Sequence, residues 1–373
     1  MRIALAQLNQ TVGDFDGNVE RIVTAAQAAA AGQADVLLTP ELALAGYPAE
    51  DLLLRQAFHE DCARALQRLC ERTAGLSLIL VVGAPSFEDG HRRNSAIVLH
   101  RGEIIGRYDK QELPNDDVFD ERRYFEAGSG PLVLDIAGVP CAILICEDLW
   151  YPRAASQARE AGARMLLVLN ASPYHVDKQA LRIDVARRNA TARGMPIAAT
   201  NLVGGQDELV FDGLSFALDA QGELAGQALP FEEDLLFVDA IADGTALRIE
   251  PGRIEPGLEL EPQVYRALVL GLRDYVGKNR IPSVLLGLSG GIDSALVLTI
   301  AVDALGPQRV RVLMMASPYT ADISIADARD MADRILFMKD GIVVEEGPPE
   351  QVINNPQNSL TQAFLNHFHS HTG

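Results

Sequence analysis

The chain has 373 residues, 48% hydrophobic and 22% charged, which at roughly 150 residues per domain makes two or three domains with buried cores. Its net charge of −19 argues against nucleic acid as a partner, since such a surface repels a phosphate backbone, and suits a soluble cytoplasmic enzyme. No run reaches the ~18 apolar residues of a membrane span, so no membrane partner is expected, and Cys62, Cys70, Cys141 and Cys146 form no C-x-x-C pair, which leaves no metal site to expect and points to a reducing compartment.

In chain order, short apolar runs predict strands at Ile3 to Ala6, Val36 to Thr39, Leu78 to Val82, Val139 to Cys146 and Met165 to Asn170, each followed by a helix. The opening run reads as a strand, too short for a signal peptide. Ala-rich segments at Val19 to Ala31 and Phe58 to Arg72 predict helices. Ser95 to His100 and Ile104 to Tyr108, joined at Arg101-Gly102, predict a hairpin. The mixture is α/β, with helices layered on sheets. Pro251-Gly252 and Pro256-Gly257 predict a linker over 242–262, which divides a first domain, 1–241, from a second. A helix over Gln263 to Lys278 and a strand over Ser283 to Leu288 then open that second α/β domain. Near the end, Lys339-Asp340-Gly341 between apolar runs predicts a hairpin, and Pro348-Pro349-Glu350 starts a helix.

Three residues on different segments carry candidate chemistry. Cys146 ends an apolar strand, where a cleft can form, and a thiol becomes a nucleophile once a base takes its proton. By itself it reads as a core cysteine. Glu41 follows Pro40 at another strand end and could be that base, although an acid in a first helical turn is also favoured by the helix dipole. Lys110 could hold an oxyanion, although a lone lysine usually sits in solvent.

Taken together, Pro40-Glu-Leu with Gly46-Tyr47, then Tyr108-Asp-Lys with Leu113-Pro114, then Ile145-Cys-Glu-Asp148 resemble the nitrilase superfamily. The resemblance covers residues 1 to about 240 and implies an αββα sandwich with a Glu41, Lys110 and Cys146 triad that hydrolyses an amide through a thioester, with no cofactor for that reaction. It implies that Glu121 positions the lysine. The stretch Leu169 to His175 looks like the substrate wall of the glutamine-using members. There Glu147 and Ser172 would contact glutamine, with Lys178 and Arg182 in support. The family's glutamine-gripping tyrosine is replaced by Asp116, which should weaken that grip.

Leu285 to Leu296 joins a strand to a helix through a Gly-rich turn, where backbone N–H groups can approach phosphate. Ser289, Gly290, Gly291, Asp293 and Ser294 match the Ser-Gly-Gly-x-Asp-Ser loop of ATP pyrophosphatases. Leu288-Ser-Gly-Gly also begins an ABC-ATPase signature, but its glutamine is missing, and the Walker-like run Gly271 to Asn279 has the wrong spacing. A nitrilase-like domain followed by this loop resembles the glutamine-dependent NAD synthetases. That implies ATP and Mg2+ for the synthetase reaction, glutamine and nicotinic acid adenine dinucleotide as substrates, and a homo-oligomer.

The synthetase resemblance ends near residue 332. From 333 to 373 the chain looks like the end of an amino-acid-type ABC transporter ATPase, without its nucleotide motifs. The expectation is a truncated Rossmann-like ATP-pyrophosphatase domain over 263–332, inactive as a synthetase, with the chain beyond about residue 262 poorly ordered or only locally helical, and a retained glutaminase. Alternatives are a nitrilase-type amidase for another small amide and a transporter ATPase-like subunit.

Overall fold

The computed structural model describes residues 1–88, 90–115, 118–243, 246–289, 291–313, 332–339 and 342–369. Two compact units divide the chain, Met1–Gly271 and Leu272–Gly373.

The first unit begins with β1 (Arg2–Gln7), α1 (Phe15–Ala31), β2 (Val36–Leu38) and α2 (Gln56–Thr73). A meander follows, β3 (Ile79–Glu88), β4 (His91–His100) and β5 (Glu103–Asp109), and then the short α3 (Glu121–Tyr124). A second layer is built from β6 (Val133–Ile136), β7 (Val139–Ile145), α4 (Pro152–Glu160), β8 (Met165–Asn170), α5 (Lys178–Arg193) and β9 (Ile197–Asn201). The strands β10 (Val203–Gln206) and β11 (Leu209–Asp212) pair with each other, and β12 (Phe216–Leu218) and β13 (Leu224–Gln227) extend the second sheet. The strands β14 (Asp234–Asp243) and β15 (Ala246–Ile249) return to the first.

The result is one sheet ordered β15-β14-β1-β2-β3-β4-β5 and another ordered β13-β12-β9-β8-β7-β6. Side-chain alternation along β1 shows why they stack. Ile3 and Leu5 join the cluster that contains β7 and β8, whereas Ala4 and Ala6 join the one that contains α1 and α2. Both faces of the strand are therefore apolar and covered, as in a layered α/β sandwich. On α1, Val19, Ile22, Val23, Ala26 and Ala29 bury a stripe at helical spacing, and Asp14 caps the helix by accepting the Gly17 N–H at 3.1 Å. Helices α4 and α5 bring Ala154, Ala155, Ala158, Ala186 and Ala190 onto the second sheet, small residues that let helix and strands approach closely.

The nitrilase-like α/β fold expected from the sequence is present, with three differences. The run at Leu78 to Val82 leads into a hairpin, not a helix, because β3 continues to Glu88 and pairs with β4 along its whole length. The Pro/Gly-rich stretch over 242–262 is not simply a linker. It holds β15, paired antiparallel with β14, and Gly252 donates its N–H to the Ala225 carbonyl at 2.7 Å. Its prolines and glycines lie outside the paired residues of β15, which is why composition hid the strand. Helix α6 (Leu260–Lys278) also starts earlier than expected and gives Ala267 and Leu270 to a cluster with Val203 and Phe231.

The third difference lies in the second unit, which is more than local helix. There β16 (Val284–Gly287), α7 (Ile292–Leu305) and β17 (Val310–Leu313) form a βαβ unit whose strands pair in parallel, Val284 opposite Val310. Further on, β18 (Ile335–Lys339) and β19 (Ile342–Gly347) pair antiparallel. Asp340 and Gly341, expected at their turn, lie outside the described residues. A single wide helical turn at Glu350–Asn354 and α8 (Ser359–His369) follow.

Gly83 on β3 sits where the chain after β2 passes overhead. A Cβ there would lie 2.3 Å from the Pro40 carbonyl oxygen and 2.5 Å from the Leu42 nitrogen, on either side of Glu41. Neither backbone atom can swing aside as a flexible side chain could. Gly83→Ala is expected to lower unfolding free energy by about 1–3 kcal/mol, read by urea denaturation. An unchanged midpoint would show that this approach is not tight.

Candidate functional site

Glu41, Lys110 and Cys146 lie just beyond the C-terminal ends of β2, β5 and β7, so two sheets supply one site. The side chains of Glu41 and Lys110 are each only 1% exposed. The Lys110 ammonium donates to Glu41 Oε1 at 2.6 Å and to Glu121 Oε1 at 2.8 Å. A buried ammonium held by two carboxylates stays charged. Burial alone would lower its pKa, but Glu121 and Glu41 outweigh that and raise it well above the usual lysine range.

The two carboxylates are fixed in turn. Asn94 Nδ2 donates to Glu41 Oε1 at 2.8 Å, and the Ala171 N–H donates to Glu41 Oε2 at 3.1 Å. The Tyr47 hydroxyl donates to Glu121 Oε1 at 3.2 Å. Burial pushes the Glu121 carboxyl up to about 7, with Lys110 pulling the other way and Glu41 adding to the rise. One carboxyl of the pair therefore titrates near neutrality while the lysine keeps its proton.

Cys146 is the first residue of a tight turn, Cys146–Leu149, and has φ of +41°, a conformation that L-residues other than Asn and Asp rarely adopt. Such a turn costs on the order of 1–3 kcal/mol and persists only where its surroundings over-determine it. Burial, then the charge of Glu41, push the Cys146 thiol well above its ordinary pKa, while Lys110 opposes them. The thiol is thus protonated at rest, and it interacts electrostatically with both Glu41 and Lys110.

A carboxylate two residues further on fixes the turn. Asp148 is fully buried. Its Oδ2 accepts the Ile145 N–H at 3.0 Å and the Tyr108 hydroxyl at 2.8 Å. Its Oδ1 accepts the Gln111 N–H at 2.9 Å and the Glu112 N–H at 2.8 Å, both directly after Lys110.

The segment expected from the sequence to form a substrate wall lies beside Cys146. A cavity of about 10 Å³ beside Cys146 is lined by Leu149, Trp150, Asn170, Ser172, Arg182, Val185 and Phe216. Arg182 spends its donors on the wall, giving hydrogen bonds to Ser172 Oγ at 3.0 Å and to the Ser172 carbonyl at 2.8 Å, and it pairs with Asp212 at 2.8 Å. The Ser172 N–H donates to Asn201 Oδ1 at 2.9 Å. Lys178 sits over the Trp150 ring, 4.8 Å from its centroid. Glu147 is partly buried, and its carboxyl is raised by burial, with Lys110 pulling it down. Asp116 lies outside the described residues. A larger cavity, about 690 Å³, lies against α2 and the β3–β4 hairpin and contains none of the candidate residues.

In the second unit, Ser289, Gly291, Asp293 and Ser294 fall between β16 and the first turn of α7, and Gly290 lies outside the described residues. Ser294 Oγ accepts the Ser289 N–H at 3.2 Å and donates to the Gly291 carbonyl at 2.9 Å, which folds the loop onto the helix start. Among the described residues no group of three or more His, Cys, Asp or Glu could hold a metal, and no helix is long and apolar enough to cross a membrane.

Asn94, Tyr47, Asp148 and Asn201 were missed as site residues by sequence reasoning. Only Tyr47 and Asp148 had a signal, as the last residues of the Pro-Glu-Leu…Gly-Tyr and Ile-Cys-Glu-Asp runs. Asn94 and Asn201 have none in one sequence, because pairing across strands brings them in.

An αββα sandwich with a buried Glu–Lys–Glu cluster beside a strand-end cysteine is the architecture of a class of hydrolytic enzymes. The chain belongs to the carbon-nitrogen hydrolase family, which matches residues 2–246. The NAD synthase family matches residues 264–348, past residue 332 where the sequence suggested a change of family. The chain is 41% identical over 336 residues to the glutamine-dependent NAD(+) synthetase of Acinetobacter baylyi, covering 90% of this chain and 61% of that protein. It is 40% identical to the synthetase of the same name from Thermotoga maritima, covering 90% of this chain and 64% of that one. The chain thus spans somewhat over three-fifths of these relatives' length. Among solved structures it superposes on glutamine-dependent NAD+ synthetase from Acinetobacter baumannii with a TM-score of 0.82 at 41% identity, covering 88% of this chain and 61% of that chain. An amidase from Nesterenkonia superposes with a TM-score of 0.59 at 29% identity, covering 64% of this chain and 89% of that one.

The Glu121 carboxyl gives a pH signature. Its folded pKa, about 7, lies above the 4.5 of an exposed carboxyl. The folded state therefore holds the proton more tightly between these values, and the contribution of that proton to stability is lost as pH rises through about 7. Compared with Glu121→Gln, the wild-type chain should lose unfolding free energy from pH 4.5 to 7 and run parallel above it, read by urea titrations at stepped pH. A constant difference across that range would mean that Glu121 titrates normally.

Proposed function

We propose that the first unit hydrolyses the side-chain amide of glutamine, with Cys146 as nucleophile, Glu41 as general base and Lys110 as electrostatic support. The observation that carries this reading is the Glu41–Lys110–Glu121 ion cluster buried beside Cys146. Glu41 takes the thiol proton as Sγ attacks the amide carbon. The carbon–nitrogen bond breaks, the proton passes to the leaving nitrogen, and ammonia departs. Water then adds to the thioester with Glu41 again as base, which frees glutamate and restores the thiol. Lys110 and backbone N–H groups face the oxyanion in both halves. A mutant of the Nesterenkonia amidase with the acetamide moiety of fluoroacetamide added covalently at its active-site cysteine supports a cysteine nucleophile on this fold. The relatives named as glutamine-dependent synthetases support glutamine as the amide, with Ser172 and Glu147 at its amino-acid end and Asp116 in place of a gripping tyrosine.

In the whole protein, the ammonia would serve NAD synthesis: the loop of Ser289, Gly290, Gly291, Asp293 and Ser294 would bind ATP, whose γ- and β-phosphates suit N–H groups at a helix start. Mg2+ fits this chemistry, since it is commonly held by one or two carboxylates plus substrate phosphates, and Asp293 is a carboxylate at that place. Nicotinic acid adenine dinucleotide would be the acceptor. A cytoplasmic homo-oligomer belongs to the same reading.

The test is glutamate release from glutamine by the full chain. Cys146→Ala should lower it by roughly 10³-fold or more, and release that survives in that variant would sink the assignment. The same reaction with ATP, Mg2+ and nicotinic acid adenine dinucleotide, followed for NAD, tests whether the second unit acts as a synthetase or only the glutaminase half acts.

A further inference from the structure

We infer that Asp148 is a positioning residue for the amide-hydrolysing site, holding the Cys146 turn in register with the Lys110 loop across the two sheets. This rests on the glutaminase reading above and assigns a role to a residue outside its triad.

The geometry carries the inference. Cys146 and Lys110 belong to different sheets, and no strand pairing fixes one against the other. Asp148 spans that gap. One carboxylate oxygen accepts two successive N–H groups after Lys110, from Gln111 and Glu112. The other accepts the Ile145 N–H, immediately before the nucleophile, and the Tyr108 hydroxyl, two residues before Lys110. All four bonds are 2.8 to 3.0 Å long and the acid is wholly buried, so none is exchanged for water.

A carboxylate suits this place because it accepts only and offers two oxygens. An amide of the same shape would turn an NH2 group toward one pair of donors and leave at least one buried N–H without a partner. If the donors left unpaired are those after Lys110, the ammonium shifts. If the Ile145 N–H is left unpaired, the φ +41° conformation of Cys146 loses a restraint. Burial raises the Asp148 carboxyl to about 6, and its backbone hydrogen bonds to Glu112 and Ile145 pull it down, so that it is largely ionised at neutral pH.

The experiment compares wild type, Asp148→Asn and Cys146→Ala in the full chain, with glutamine as substrate. Active sites are counted by stoichiometric alkylation with iodoacetamide. If Asp148 positions the nucleophile, kcat per alkylatable site falls about tenfold or more while KM stays within about twofold, because misplacement of reacting groups acts on the chemical step. The alkylation rate constant falls with kcat. If Asp148 only supports the fold, Asp148→Asn lowers the melting temperature while kcat per alkylatable site stays at the wild-type value, and the proposal is overturned. Should Asp148→Asn not fold, Tyr108→Phe removes a single donor from Oδ2. A smaller fall in kcat at unchanged KM then supports the proposal, and an unchanged kcat overturns it. A wild-type chain that releases no glutamate but is still alkylated at Cys146 would refute the glutamine reading. The alkylation rates of wild type and Asp148→Asn would then still decide the role of Asp148.

Discussion

A lysine ammonium enclosed between two carboxylates is the constraint around which the first unit is arranged. Lys110 is 1% exposed, and so is Glu41, which means that neither charge could be tolerated without the other. The arrangement forces strand ends from two parts of one sheet to meet, and Asn94, Tyr47 and the Ala171 N–H donate further hydrogen bonds to the two carboxylates. The cluster also sets the charge felt by Cys146. Lys110 stays charged beside a Glu121 carboxyl that burial raises to about 7, and burial holds the Cys146 thiol protonated.

The sandwich explains why such a cluster can be held still. Both faces of β1 are buried, one against the other sheet and one against α1 and α2, so the central strands have no soft side. The functional loops leave that scaffold at its strand ends and are then pinned by buried polar side chains: Glu41 by Asn94, the 172–173 loop by Arg182 and Asn201, and the 110–112 loop by Asp148. Each pin is a hydrogen bond between buried polar groups, which is where a missing bond costs most.

The second unit has a different balance. Its parallel strands and α7 form a proper βαβ unit, yet Leu285, Ile292, Leu296 and Val297 remain exposed. Among the described residues, Ser289, Gly291 and Ser294 are nonetheless held at the start of α7 by hydrogen bonds among themselves. That loop geometry is encoded within six residues, whereas a covered sheet is a property of a larger assembly of strands.

The sequence by itself determined the α/β class, the period-2 and period-3.6 elements of the first unit, the three segments that carry Glu41, Lys110 and Cys146, and the phosphate-type loop. All of these are local: a strand end, a turn or a helix start is written in neighbouring residues. Glu121, also singled out from the sequence, accepts a 2.8 Å hydrogen bond from Lys110. Tertiary structure alone decided that β3 turns back as a hairpin, that β15 rises from a stretch rich in proline and glycine, and that Asn94 and Asn201 stand beside the site. It also decided that Asp148 faces four donors drawn from three segments. Such placements depend on which strands pair and in what register. Register is settled by burying whole faces at once, so no short run of residues can announce it.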